Sequence, residues 1–275
     1  MSSTNKKFPD LVFPVGTDMV ELPSGGKFYS KDHPLYQQSC VEILHMRGPE
    51  EDILTNKDYL RKDIAVDKLL QALILDKTLQ RETAYDQMLI ADQLLLLTTA
   101  RITAYTFDYV CSITCPACAS VSKFNFDLRK YKVKSPNLEN DKDVTYDEDT
   151  NQFIVTIPDT KIVLRILPYT VSTQKKIKAK LALKKVKTLT KKEKYEDIIV
   201  SINDEKDRRY VEDFFNAIPA FYLKWLESVI EDINISISFE QTFECENCGF
   251  TQDMEPPFTV DFLYTPKITR KKQSE

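Results

Sequence analysis

Two Cys-x-x-Cys pairs constrain this chain more than any other feature: Cys115-Pro116-Ala117-Cys118 and Cys245-Glu246-Asn247-Cys248. Each is half of a site. Two residues between cysteines let the backbone curl until both sulfurs reach one ion, and structural Zn²⁺ takes four such donors in a tetrahedron. A single pair has redox and chance explanations, whereas two pairs, each flanked by strand-like sequence, point to one shared metal site. The first pair is expected at the tip of a hairpin between Ile102–Thr114 and Val121–Leu128. The second is expected between Ile235–Glu244 and a strand ending at Phe262. Cys115, Cys118, Cys245 and Cys248 fill all four positions, so no coordination site is left for a substrate and the expected role is structural.

Other uses of these thiols fit less well. Disulfide-stapled secreted proteins are usually short, and Met1–Lys7 is polar with no apolar stretch after it, so a reducing cytosol is expected. A thioredoxin-like pair opens a helix after a strand, and here β-type sequence continues on both sides. Iron remains an alternative metal for four thiolates. Cys40 and Cys111 read as ordinary, partly apolar side chains.

The 275 residues suffice for a real core, and the net charge of −4 argues against a general polyanion binder. Five glycines, with neither GxGxxG nor GxxxxGK[ST], exclude the glycine-lined nucleotide sites. No apolar run reaches the ~20 residues of a membrane span. The two histidines, His33 and His45, fall in no metal or triad pattern, so no catalytic site is expected.

Residues 1–20 read as a flexible segment. The Leu22–Tyr36 stretch, with its Gly25-Gly26 turn, reads as a surface loop or a partner contact presenting Phe28, Tyr29 and Tyr36, before a strand at 41–46. Residues 49–100 read as helical. Val66, Leu69, Leu70, Leu73 and Ile74 form one stripe, and a second helix is expected over 84–98 with the buried or partner-facing run Leu94–Leu97. Asp63, Asp67, Asp76, Asp86 and Asp92 read as solvated faces or caps. Residues 129–143 are loop, and 152–157 with 162–167 form a hairpin across Pro158–Lys161. A helical block is expected over 172–233. It begins with ten lysines between Lys175 and Lys194 and ends in a core stripe of Tyr222, Trp225, Leu226, Val229, Ile230 and Ile233. The lysines admit a nucleic-acid stripe, but acidic residues follow and no aromatic interleaves the first of them.

The fold class expected is α+β: a zinc-ribbon-like β core with N-terminal helices and a large inserted hairpin-plus-helices segment. Residues 21–265 form a single domain, with ribbon halves near 101–128 and 235–263, an insertion near 129–234, and a disordered tail at 266–275.

Several stretches together resemble the baseplate hub proteins of T-even-type tailed bacteriophages. They are Leu22-Pro-Ser-Gly-Gly-Lys-Phe-Tyr29, Asp52–Asn56 through Asp67–Leu70, Tyr109–Cys118 with its Thr-Cys-Pro-Ala-Cys, Leu167-Pro-Tyr-Thr170 and the closing Cys-x-x-Cys. The first knuckle is followed by Ala119-Ser120 where the second has Gly249-Phe250. The resemblance implies a non-enzymatic hub subunit or hub-assembly factor, with other phage baseplate proteins as partners and no small-molecule substrate. It places the protein in the host cytoplasm during assembly and in the virion tail. The alternative is a zinc-ribbon nucleic-acid-binding protein.

Overall fold

The computed structural model describes residues 16–138, 141–258 and 260–263. It opens on β1 (Thr17–Glu21), which runs antiparallel to β2 (Cys40–Leu44) with Val20 opposite Val41. Both valines are buried. The flexible segment expected over residues 1–20 therefore fails for 17–20, because a strand twenty residues downstream supplies the partner. Residues 1–15 and the tail 266–275 lie outside the described residues.

Helices follow: α1 (Gly48–Thr55), α2 (Lys57–Arg61), α3 (Ala65–Leu73), α4 (Glu82–Asp86) and α5 (Ile90–Ala104). The α3 stripe is as the period demands, with Leu69, Leu70, Leu73 and Ile74 all fully buried. Each contributes about 2 kcal/mol of apolar burial. The second helix expected over 84–98 is two elements, parted at Met88-Leu89. The longer, α5, runs on through Ile102, Thr103 and Ala104, which were expected in a strand. Its Leu94–Leu97 run faces inward on several sides. Leu95 and Leu96 are buried, and Leu94 and Leu97 pack against the same core.

The first hairpin is β3 (Asp108–Thr114) with β4 (Val121–Asp127), paired from Asp108↔Asp127 to Thr114↔Val121. Odd-numbered residues of β3 turn inward, Tyr109 most deeply, as the aromatic parity requires. The expected loop at 129–143 contains β5 (Lys132–Lys134). Then come β6 (Val144–Asp147), β7 (Gln152–Thr156) and β8 (Val163–Ile166), followed by α6 (Val171–Lys184) and α7 (Lys191–Tyr195). The helical block expected over 172–233 is interrupted by β9 (Ile199–Ile202), which completes a four-stranded sheet in the order β6-β7-β8-β9. Ile198, Ile199 and Ile202 are buried there, a tertiary gain that outweighs the helical character of the flanks. Helices α8 (Arg208–Ala217) and α9 (Ala220–Ile233) follow, with Pro219 at the N-cap of α9 rather than inside it. The chain closes through β10 (Ser236–Ser238), which pairs with β5, and the hairpin of β11 (Gln241–Glu244) and β12 (Thr251–Met254).

Mixed helix and strand is thus the correct class, but the ribbon is not the core. The main apolar cluster gathers α3, α5, β1 and β2 around Leu69, Leu96, Tyr85 and Tyr29. A second cluster packs Leu226, Ile230 and Ile233 of α9 against Phe153, Val155, Leu164 and Ile166 of the four-stranded sheet. The knuckles hold only a third, small cluster: Cys115, Phe243 and Cys245, with Ile113, Phe124, Phe250 and Met254 around them. The two knuckle hairpins form separate two-stranded sheets.

Candidate metal centre

Each knuckle sits where a hairpin ends, after the Thr114↔Val121 pair in one and the Glu244↔Thr251 pair in the other. Their turns are near copies. Cys115 N–H donates to Ser120 O at 2.8 Å, and Cys245 N–H to Phe250 O at 2.8 Å. Ala119 N–H returns to Cys115 O at 2.9 Å, and Gly249 N–H to Cys245 O at 2.8 Å. In both, the residue after the second cysteine is left-handed, with φ of 57° at Ala119 and 69° at Gly249. The leading cysteines, Cys115 and Cys245, are buried, and the trailing ones, Cys118 and Cys248, face solvent.

The hairpins bring all four sulfurs within 4.8 Å of one another. Cys115 Sγ lies 3.7 Å from Cys248 Sγ, and Cys118 Sγ lies 3.7 Å from Cys245 Sγ. A tetrahedron with Zn–S arms of about 2.3 Å has sulfur–sulfur edges near ~3.8 Å. A disulfide would need about 2.05 Å. The cysteines are free, and the donor set and its spacing fit one thiophilic ion.

The thiols are electrostatically unequal. The Ser120 hydroxyl, followed by the Asn247 amide, holds the Cys118 thiol down to about 5. Ser120 also lowers Cys245. The Phe250 N–H favours the Cys248 thiolate, but Cys118, Cys245 and Cys115 beside it push that thiol up to about 12.

Other singled-out residues have different fates. Of the three aromatics in the Leu22–Tyr36 loop only Tyr29 is buried, while Phe28 and Tyr36 are half-buried and line an open cleft. Tyr29 is buried and stacked on His33 at 4.6 Å, and Phe28 packs edge-on against Tyr146 at 4.9 Å. Tyr36 donates to Glu148 at 2.6 Å. Asp92, expected on a solvated face, is fully buried in the first turn of α5. It accepts from Ser24 N–H (3.0 Å), Ser24 Oγ (2.6 Å) and Tyr29 OH (2.6 Å). Burial raises its pKa against these three donors, and burial first, then Asp92, raises Tyr29. Asp92 is thus a bolt between the loop and α5. Burial lowers the His33 pKa against the opposing Ala84 carbonyl, with Nε2 2.8 Å from Ala84 O and Nδ1 accepting from Leu35 N–H. His45 pairs with Asp18.

The lysine run is largely spoken for inside the molecule. Lys175 bridges Asp67 and Asp86, Lys178 meets Asp63, and Lys180 meets Glu196 and Asp197. Lys184, Lys191 and Lys192 pair with Glu193, Glu227 and Glu212. A stripe neutralised this way has little charge left to release counterions from a phosphate backbone.

The two knuckle hairpins, the helices before them and the four-stranded sheet between them all fall within the span of one family model. It is the model described as T4 bacteriophage base plate protein, over residues 22–263. The chain belongs to this family. Neither the curated proteins nor the solved structures gave a match. Among the described residues of this baseplate-family chain, no helix is long and apolar enough to cross a membrane. Sequence reading missed Ser120 and Asn247 beside the sulfurs. The only signal was the departure at Ala119-Ser120 from the glycine-aromatic pair of the second knuckle.

Proposed function

We propose that this chain is a structural or assembly component of the baseplate hub in a contractile-tailed phage, and that it acts through contacts with other baseplate proteins. The family match over residues 22–263 is the observation that carries this reading. The protein is used stoichiometrically, without turnover and without a small-molecule substrate. It works in the host cytoplasm during assembly and, as a hub component, stays in the tail.

Within it, Cys115, Cys118, Cys245 and Cys248 hold one structural Zn²⁺ and make residues 21–265 a single unit. The four-sulfur geometry supports that assignment. Zinc supplies a fixed tetrahedral crosslink. The chain's own residues shape the two turns, bury the leading cysteines and shield the sulfurs with N–H and O–H donors. The crosslink closes the loop between Cys118 and Cys245, whose two ends are also held together where β10 runs antiparallel to β5.

The test is quantitative mass spectrometry of purified particles against infected-cell lysate, with zinc measured on the purified protein. A small, fixed whole-number copy count per particle marks a hub component. Abundance in lysate with absence from particles marks an assembly factor. Absence of any association with baseplate intermediates removes the reading, and absence of bound metal removes the zinc assignment alone.

A further inference from the structure

The two knuckles share a backbone but not a side chain at the position that closes each turn. Phe250 closes the second and covers the small apolar cluster. Ser120 closes the first, and its half-buried hydroxyl turns toward the sulfurs. Ser120 Oγ lies 3.0 Å from Cys118 Sγ and 3.3 Å from Cys245 Sγ. Those two sulfurs belong to different knuckles, so one hydroxyl bridges the halves of the site. Asn247 Nδ2 reaches back across the same gap to Cys118 Sγ, at a longer 3.5 Å.

We propose that Ser120 is a positioning residue of the metal centre, its hydroxyl bridging one sulfur from each knuckle and setting how firmly a thiophilic divalent ion is retained. The proposal rests on the metal assignment above and goes beyond the four ligands. A hydroxyl donor spreads the charge of a metal-bound thiolate and fixes the direction of its lone pairs. Outer donors of this kind usually govern metal affinity by about 10–100-fold. Here the donor has a second consequence. Cys118 faces solvent, and the hydroxyl occupies one side of that sulfur. Removing it opens the Cys118 sulfur to water and competing chelators, and takes from Cys245 its hydroxyl contact with the other knuckle. The glycine-aromatic version of the turn cannot do this, because the phenylalanine side chain carries no donor.

The experiment compares the full chain with Ser120→Ala, Ser120→Thr and Asn247→Ala. Two quantities are read: the rate of zinc release to a colorimetric chelator at neutral pH, and the thiolate-to-metal charge-transfer band of the Co²⁺-loaded protein. Ser120→Ala is expected to release zinc about tenfold faster and to shift the band. Ser120→Thr, which keeps the hydroxyl, restores both. Asn247→Ala has the smaller effect, since its contact is longer and touches one sulfur. Unchanged release and an unchanged band in Ser120→Ala overturn the proposal while leaving the metal site standing. So does a larger effect from Asn247→Ala than from Ser120→Ala. A wild-type chain that takes up neither Zn²⁺ nor Co²⁺ overturns the metal assignment itself, and this proposal with it.

Discussion

The two knuckles reach one backbone from two sequences. In the second, Gly249 takes the left-handed position at no steric cost and Phe250 covers the site. In the first, Ala119 takes the same position against its intrinsic preference and Ser120 faces the sulfurs. Left-handed geometry costs an alanine roughly 1–2 kcal/mol. Something must hold the first turn in place. Its two backbone hydrogen bonds match those of the second turn, and the sulfurs of both converge on one point. The shared ion proposed above would account for both facts. The knuckle with the poorer local sequence would then be kept in shape by the knuckle with the better one.

The strongest way to break this comparison is to remove a ligand from either side. Cys118→Ser and Cys248→Ser are expected to behave alike, although their turns differ in local strain. Structural Zn²⁺ contributes on the order of 10 kcal/mol at neutral pH, against a typical domain stability of roughly 5–15 kcal/mol. Both variants should lose bound zinc and become aggregated or protease-sensitive, as read by metal analysis and limited proteolysis. If one were tolerated, with normal melting and no metal, the knuckles would be independent turns and the shared-ion account would fail.

A subtler break lies at the left-handed position. Around Gly249 a Cβ would meet nothing within 4 Å, so the cost of adding one is conformational alone. Gly249→Ala should destabilise the folded chain by about 1 kcal/mol with full metal occupancy, measured as a shift in the urea midpoint at unchanged slope. A loss of metal in this variant would instead show that the turn, and not the ion, sets the geometry.

How legible all this was in the sequence depended on the distance over which each decision is made. The α3 stripe and the β7–β8 hairpin could be read because their logic is local: a period of 3.6, and two apolar runs around Pro158–Lys161. The meeting of the four cysteines could be read despite their separation, because the Cys-x-x-Cys spacing states its own chemistry. Asp92 could not. A carboxylate early in a helix looks like a first-turn acid, and the groups that make its burial tolerable, Ser24 and Tyr29, stand more than sixty residues away. The ion pairs of the lysine run were hidden for the same reason, since partners such as Asp63, Asp67 and Asp86 lie far upstream. Strand β9 was hidden inside a helical composition, and only its pairing with β8 decides its form. The position of the main core was missed because the cysteines drew the eye to the ribbon, whereas most apolar burial belongs to α3, α5 and the strands around them.

The smallest effect is the most direct test of the comparison. Ala119→Gly makes the opposite substitution at the equivalent position, so two superimposable turns should give it the opposite sign. It should stabilise, by about 0.5 kcal/mol, within the range typical for exchanges between glycine and alanine. The magnitudes should also differ in a definite direction. Ala119 already sits at φ 57°, the centre of the left-handed well, and Gly249 at 69° lies beyond it. An alanine at 249 must therefore draw its turn inward as well as accept the left-handed cost, whereas a glycine at 119 only releases a cost already borne. A gain at 119 equal to the loss at 249 would mean that the 12° between the turns carries no energy. A loss at 119 would mean that the Ala119 methyl makes a favourable contact the glycine turn lacks, and the two knuckles would no longer be copies in energy even though they are copies in hydrogen bonding.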